Sequence, residues 1–273
     1  MTTAIAHRGE PRGNRENTLP AIEAAVAAGA DMVEIDLRLT ADDRLVVLHD
    51  PTLERLWDDP RPVSSVSFAD LAAAHRASGG AWSLPTAEEA LDLIVRLGTR
   101  VMLDVTSVAI GLATQDLVRE RGLDAHVLYA GDTEALARIR ERQPGAEIAL
   151  SWGHPTPPGE EVWDRVRPQY FNPEWIHLDE PTVDANHAAG RLVSAWTVDE
   201  PEQMARLAGL GVDAIISNRI ASLVDVLRRP TRDQLTSEEL TSDQLTSDQL
   251  TSDQLTSGRP AAGRAGDRQT ETR

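Results

Sequence analysis

The stretch MVEIDLRLTADDRLVVLHD, residues 32–50, decides how the strands of this chain are counted. Two apolar runs, Met32–Leu37 and Leu45–His49, are separated by only the seven residues 38–44. A crossover between parallel strands needs about a dozen residues or more, so the second run must return antiparallel to the first and turn at Asp42 and Asp43. The stretch therefore predicts a β-hairpin whose second arm is an excursion from the main sheet.

Short apolar runs alternate with helix-like segments on both sides of this hairpin, from residue 2 to 228. Apart from the hairpin arm, the strand candidates are Ala4–Arg8, Met32–Leu37, Val101–Val105, His126–Ala130, Glu147–Trp152, Tyr170–Pro173, Leu192–Thr197 and Ala214–Ser217. Eight strands, each followed by a helix or loop, are typical of a TIM (β/α)₈ barrel. An open doubly wound sheet normally has a glycine-rich loop after its first strand, and residues 7–14 lack that dinucleotide-binding spacing.

The composition changes near Pro230, which predicts two domains. Residues 1–230 form the barrel domain, and residues 231–273 form a tail with a Leu-Thr-Ser-Asp/Glu-Gln/Glu pentapeptide repeat. A period of five places the leucines neither on one face of a helix nor on one side of a strand. We therefore expect a disordered, low-complexity C-terminal tail.

The composition of the 273 residues also excludes several classes of function. The net charge of −17 argues against nucleic acid or an anionic membrane as a partner. The chain has no cysteine and no lysine, which excludes thiol nucleophiles, thiolate zinc sites, Schiff bases and the Walker P-loop. The sequence shows no secretory leader and no apolar run of membrane-spanning length, so we expect a cytoplasmic protein without membrane insertion or an evident protein partner.

Acidic residues cluster where the predicted strands end. Glu34 and Asp36 are two residues apart on one strand, so their side chains point the same way, into the barrel, and Asp104 on a neighbouring strand adds a third carboxylate. Three carboxylates suit a hard divalent cation, Mg²⁺ or Ca²⁺. The alternative is that Glu34 or Asp36 forms an ion pair with Arg8 or Arg38.

Two histidines and an arginine flank the acidic cluster. His7 and His49 end the first strand and the hairpin, positions that suit a general base and a general acid. Arg8 can receive an anion with two parallel hydrogen bonds. A cation, an arginine and two histidines together favour cleavage of a phosphodiester.

These motifs resemble the glycerophosphodiester phosphodiesterase family. The matching segments are His7-Arg8-Gly9, residues 16–21, Val33-Glu34-Ile35-Asp36, Leu39-Thr40, residues 47–53, residues 194–199 and residues 211–219. The resemblance implies a TIM barrel that hydrolyses glycerophosphodiesters to an alcohol and glycerol 3-phosphate with a divalent cation. It implies that His7 and His49 are the acid–base pair and that Glu34 and Asp36 bind the metal. It also implies that Arg8 contacts phosphate and that Trp196 lines the pocket.

The chain departs from the family pattern at the third ligand. The family usually has Glu followed two residues later by Lys, whereas this chain has Asp104 and Thr106. Asp104 can still ligate a metal, and an arginine elsewhere could replace the lysine charge. Two alternatives follow: a cyclising phospholipase, similar to spider-venom-type sphingomyelinases D, and a non-catalytic phosphate-binding barrel.

Other residues are given lesser roles. Trp57 and Trp82, in the variable stretch 54–84, are candidates for contact with the alcohol moiety. Asp50 is expected to orient His49 through a hydrogen bond, Asp199 to open a helix with Pro201, and Asn218 to be structural.

Overall fold

A computed structural model describes residues 1–77 and 84–228 of the chain. The predicted tail, residues 231–273, and the candidate Trp82 lie outside the described residues. The predicted boundary of the barrel domain, at residue 230, lies two residues beyond them.

Eight parallel strands form the barrel. The described strands are β1 (Thr3–His7), β2 (Met32–Leu39), β3 (Leu45–Val47), β4 (Thr52–Leu53), β5 (Asp59–Pro62), β6 (Arg100–Val105), β7 (Val127–Gly131), β8 (Ala149–Trp152), β9 (Tyr170–Pro173), β10 (Leu192–Ala195) and β11 (Ala214–Ser217). The eight barrel strands follow the order β7-β6-β2-β1-β11-β10-β9-β8, while β3 pairs with β2 outside this path and β4 and β5 form a separate sheet. A parallel bridge between Tyr129 and Ile148 joins the two ends of this order. The predicted TIM barrel is confirmed.

The predicted hairpin is also confirmed. β3 pairs antiparallel with β2, with Leu37 opposite Val47 and Leu39 opposite Leu45. The turn uses Asp43 in the left-handed region, at φ 56°. The strand ends at Val47 and not at His49, so His49 is free to leave the hairpin ladder and turn towards the barrel mouth.

Helices cover the outside of the barrel. They are α1 (Leu19–Ala27), α2 (Glu54–Trp57), α3 (Phe68–Ala77), α4 (Ala87–Leu97), α5 (Val108–Glu120), α6 (Thr133–Arg142), α7 (Glu160–Val166), α8 (Glu180–Ala188), α9 (Pro201–Gly209) and α10 (Ile220–Arg228). Thr86 and Glu89 form a reciprocal capping box at the start of α4. None of the helices in the described ranges combines the length and apolar character needed to cross a bilayer.

Apolar side chains fill the barrel below its carboxyl-end face. The interior cluster consists of Ile5, Met32, Met102, Leu128, Ala130, Ala149, Ala214 and Ile216. A separate apolar cluster packs the hairpin against the segment that follows it: Val46, Leu48, Leu53, Val63, Val66, Leu71 and Leu84. The solid interior leaves the carboxyl-end face as the place for a site.

Candidate active site

The seven residues predicted for the site line one cavity at the carboxyl ends of the strands. This cavity has a volume of about 190 Å³ and opens to solvent. The predicted residues in its wall are His7, Arg8, Glu34, Asp36, His49, Asp104 and Trp196. Residues up to 189 positions apart in the chain are therefore brought together by the barrel topology, because parallel strands present their carboxyl ends on one face.

Strand register brings the three carboxylates together. Glu34 lies opposite His7 on β1, and Asp36 lies opposite Asp104 on β6. Burial and the charges of Asp36 and Asp104 raise the pKa of Glu34 well above its ordinary value. Burial and the charge of Asp36 raise the pKa of Asp104 to about 6. Ionisation of all three carboxylates is therefore unfavourable unless a positive charge accompanies them.

Arg8 supplies positive charge to this cluster. Its backbone N–H donates to Glu34 Oε2 at 2.9 Å, and its Nε lies 3.2 Å from Asp36 Oδ2 without making a hydrogen bond. Asn17 Nδ2 donates to the same Asp36 oxygen at 2.7 Å. The ion pair that the sequence left open as an alternative is thus present between Arg8 and Asp36.

The loop after β1 has the unusual backbone that this arrangement requires. Arg8 has φ 58° and Gly9 has φ 83°. A Cβ at Gly9 would lie 2.6–2.8 Å from atoms of Ala21 in α1, so only glycine fits here. The close packing of the loop on α1 sets the position of Arg8.

The three carboxylates have the donor chemistry for a divalent cation. Their oxygens are the ligands that Mg²⁺ and Ca²⁺ prefer, and no hydrogen bond to Asp104 comes from any residue in the described part of the chain. Within residues 1–77 and 84–228, however, no three His, Asp or Glu side chains already have a metal-holding arrangement. Asp36 is engaged instead by Asn17 and Arg8. The residues fit a cation in type and charge, and both partners of the Asp36 side chain contact its Oδ2.

A hydrogen-bond chain orients His7. His7 Nδ1 lies 2.8 Å from Asn218 Oδ1, and Asn218 Nδ2 donates to Asp199 Oδ2 at 2.9 Å. Because the amide donates to Asp199, its oxygen faces His7 and accepts the Nδ1 proton. His7 Nε2 then carries the free lone pair and lies 4.0 Å from Glu34 Oε2. The helix expected at Asp199 and Pro201 is α9, which begins at Pro201 after the N-cap residue Glu200. The Asp199 carboxylate accepts hydrogen bonds from Ser217 and Asn218 instead.

A second chain of charged groups reaches His49. Asp50 Oδ1 lies 2.7 Å from His49 Nδ1, as expected from the sequence, and Asp50 Oδ2 accepts from Arg55 Nε at 2.6 Å. Arg55 also donates to both oxygens of Glu16, which accepts from Arg8 Nη1 at 2.9 Å. Arg55 and His49 lower the pKa of Asp50 to about 2, against the effect of its partial burial. Arg55, on the short helix α2, therefore links the two sides of the cavity.

Thr106, at the position where the resemblance implies a lysine, is contacted by Arg38. Arg38 Nη1 donates to Thr106 Oγ1 at 2.7 Å, and its Nε donates to the His49 carbonyl at 2.9 Å. Arg38 thus ties the hairpin end to the end of β6. The sequence had named Arg38 only as a partner for the carboxylates.

Sequence reasoning missed several residues of the cavity and its support. Ser151 and Asn172 line the wall opposite the carboxylates, and Asn218 and Arg55 hold the histidine systems. His7 and Asn218 are 211 positions apart, so no local pattern connects them.

The fold and the cavity define the class of protein. A parallel eight-stranded barrel with carboxylates, imidazoles and a guanidinium at its carboxyl-end face is a TIM-barrel enzyme with the groups needed for chemistry at a phosphate ester. The chain belongs to the glycerophosphoryl diester phosphodiesterase family, whose sequence model matches residues 7–222. It is therefore a phosphoric diester hydrolase.

Relatives and solved structures support this membership. A glycerophosphodiester phosphodiesterase of Caldanaerobacter subterraneus subsp. tengcongensis is 25% identical over 246 residues, 84% of this chain and 98% of that protein. One from Bacillus altitudinis is 27% identical over 233 residues, 80% of this chain and 95% of that protein.

The barrel also matches solved structures. An Oleispira antarctica phosphodiesterase, solved with the product sn-glycerol-3-phosphate, matches with a TM-score of 0.74 at 21% identity, over 83% of this chain and 97% of that chain. A glycerophosphodiester phosphodiesterase from Agrobacterium tumefaciens matches with a TM-score of 0.72 at 22% identity, over 83% of this chain and 99% of that chain. At these identities the two structures support the fold.

Proposed function

We propose that this protein hydrolyses glycerophosphodiesters to an alcohol and glycerol 3-phosphate, with a divalent cation and two catalytic histidines. The observation that carries the proposal is that His7 and His49 both line the cavity of the three carboxylates, each with its Nδ1 held by a partner. Family membership and the product in the Oleispira antarctica structure support the reaction type.

His7 is the proposed general base. Burial and the positive charge of Arg8 lower its pKa, although the bond to Asn218 opposes this, so the ring is neutral near pH 7. Nε2 then accepts a proton from the attacking water molecule, whose oxygen forms the new bond to phosphorus.

His49 is the proposed general acid. The Asp50 carboxylate lies 2.7 Å from Nδ1 and orients the ring, as a carboxylate orients the imidazole in hydrolase triads. His49 Nε2 donates its proton to the alkoxide as the bond from phosphorus to the alcohol oxygen breaks.

Glu34, Asp36 and Asp104 are the proposed ligands of Mg²⁺ or Ca²⁺. When bound, the cation would neutralise charge that develops on the non-bridging phosphate oxygens. Arg8, whose Nε is buried without a hydrogen-bond partner, is placed to donate to the same oxygens, and Trp196 would bound the substrate pocket.

Turnover of glycerophosphocholine, followed by phosphorus NMR with Mg²⁺ or Ca²⁺, tests the proposal. We expect glycerol 3-phosphate to form, EDTA to abolish its formation, and His7→Ala and His49→Ala each to lower kcat about 100-fold or more. His126→Ala, at the amino end of β7, is the control and should retain activity. Accumulation of a cyclic phosphate would favour the cyclising phospholipase, and binding without turnover would favour the non-catalytic barrel.

We propose a cytoplasmic enzyme whose partner is a small glycerophosphodiester, without nucleic acid, membrane insertion or a protein partner. The acidic net charge of −17 supports the exclusion of nucleic acid.

A further inference from the structure

The cavity wall opposite the carboxylates is uncharged. It is formed by Ala130, Ser151, Asn172, Trp196, Thr197 and Ile216, on and after the strands from β7 to β11. The only polar side chains of this wall that come from barrel strands are Ser151 and Asn172. Their hydrogen bonds determine what this wall can offer a ligand.

The bonding of Ser151 leaves its proton available. Ser151 Oγ accepts from Gly131 N at 3.2 Å and from Asn172 Nδ2 at 3.3 Å. These two bonds use both lone pairs of the hydroxyl oxygen. No acceptor for its proton is found among residues 1–77 and 84–228, so the hydroxyl can only donate, and its open side is the cavity.

The bonding of Asn172 likewise leaves a donor. Its Oδ1 accepts from Ser194 Oγ at 2.8 Å, and one proton of Nδ2 goes to Ser151. Ser194 is 0% exposed, and the opposite amide orientation would leave its buried hydroxyl proton without an acceptor, which fixes the orientation of Asn172. The second Nδ2 proton has no partner in the described ranges.

Gly131 holds this pair of donors at a fixed distance from the carboxylate of Asp104. It has φ 112°, and a Cβ there would come within 2.3 Å of Val105 O and 2.9 Å of Asp104 Oδ1. The absence of a side chain lets β7 pass close to Asp104 while its amide holds Ser151. The donors therefore belong to the same rigid framework as the proposed metal ligands.

We infer that Ser151 and Asn172 form the subsite for the hydroxyl oxygens of the glycerol moiety. This inference rests on the proposed function, because it assigns the two ends of a glycerophosphodiester. A wall that offers two hydrogen-bond donors and no charge is complementary to neutral oxygen acceptors. The same wall contains no carboxylate that would attract a cationic head group, so that group extends towards the open mouth of the cavity.

Two matched diesters test the inference. Glycerophosphocholine and ethylphosphocholine share the phosphocholine group, but only the first carries hydroxyls. We expect Ser151→Ala to lower the ratio of their kcat/KM values about five- to tenfold, which corresponds to the loss of one hydrogen bond. Ser65→Ala, in an exposed turn outside the cavity, is the control and should leave the ratio unchanged. A ratio in Ser151→Ala within twofold of the wild-type ratio would overturn the subsite.

Calorimetry separates this inference from the proposed function. We expect glycerol 3-phosphate to lose about five- to tenfold in affinity relative to ethyl phosphate in Ser151→Ala. Asn172→Ala should produce a loss of the same direction, and a thermal melt of each variant establishes that it folds. If the wild-type protein turns over neither diester, the proposed function fails while the affinity ratio still tests the subsite. Equal losses for both phosphates would contradict it.

Discussion

Asn218 shows how one uncharged residue can control a catalytic group. Its amide receives the Nδ1 proton of His7 because its own Nδ2 is committed to Asp199. The ring is thereby held in the tautomer that leaves Nε2 able to accept a proton. Asn218 is therefore a positioning residue, which acts through His7.

Replacing Asn218 should impair turnover more than binding. We expect Asn218→Ala to lower kcat about tenfold or more with little change in KM, since His7 loses its fixed orientation and tautomer. Steady-state kinetics over a range of pH measure this effect, and Ser222→Ala on α10 is a neighbouring control. A variant with the kcat and pH profile of the wild type would show that Asn218 is only structural.

Asp104 should make the stability of the metal-free protein depend on pH. Its pKa is raised from 3.8 to about 6, so the folded state holds more protons than the unfolded state between these values. The free energy of unfolding therefore falls as the pH rises from about 4 to about 6.

Asp104→Asn removes this contribution. In EDTA at pH 7, we expect the variant to be about 2–3 kcal/mol more stable than the wild type, because one pKa unit corresponds to about 1.4 kcal/mol. The advantage should disappear as the pH falls towards 4. Chemical denaturation at several pH values measures it, and a difference that does not change with pH would contradict the raised pKa.

At the scale of elements, the segment after the hairpin contributes to the site through α2. The sequence indicated only a variable stretch there and named Trp57 as a contact for the alcohol, whereas the charged link runs through Arg55 to Asp50 and Glu16. Trp57 does not line the cavity; Arg15 stacks over its ring at 4.4 Å.

Arg55→Gln should therefore affect activity more than stability. The Arg55 side chain is 46% exposed, and ion pairs with this exposure contribute about 0–1 kcal/mol, so we expect a small change in Tm. The pKa of Asp50 should rise from about 2. We expect kcat to fall several-fold, because Asp50 and Glu16, which contact His49 and Arg8, both lose their hydrogen bonds to Arg55. Arg55→Lys should recover part of the activity. A large loss of Tm with normal kcat in the folded protein would assign Arg55 a structural role instead.

The contact between the β1–α1 loop and α1 can be tested with two glycines. Gly9→Ala would place a Cβ within 2.8 Å of Ala21, whereas Gly98→Ala, also at positive φ, meets nothing within 4 Å. We expect Gly98→Ala to cost about 1 kcal/mol from its backbone conformation alone and Gly9→Ala clearly more. Denaturant unfolding of both variants gives the comparison, and equal losses would mean that the loop can move away from α1.

At the scale of the whole molecule, the barrel was predictable because its signals are local. Alternating apolar runs identified the eight strands, and the short link from residue 38 to 44 separated the hairpin from them. Polar residues at strand ends identified His7, Glu34 and Asp104, since the topology of a barrel gathers such ends.

The contacts that support the site residues were not predictable, because they join residues that are far apart in the sequence. Asn218 reaches His7 across 211 positions, and Ser151 and Asn172 gain their meaning only from how their lone pairs and protons are shared. Such pairings leave no periodicity in the sequence. The left-handed backbone of Arg8, which directs it at Asp36, is equally invisible without coordinates.

Calorimetric titration of the metal-free protein with Ca²⁺ or Mg²⁺ tests most directly whether Glu34, Asp36 and Asp104 hold one divalent cation beside the two histidines. We predict one ion per chain for the wild type and at least a tenfold weaker affinity for Glu34→Gln, Asp36→Asn and Asp104→Asn, with His126→Ala unchanged. Wild-type affinity in all three carboxylate variants, or no cation bound by a wild-type protein that turns over its substrate, would contradict the proposed site.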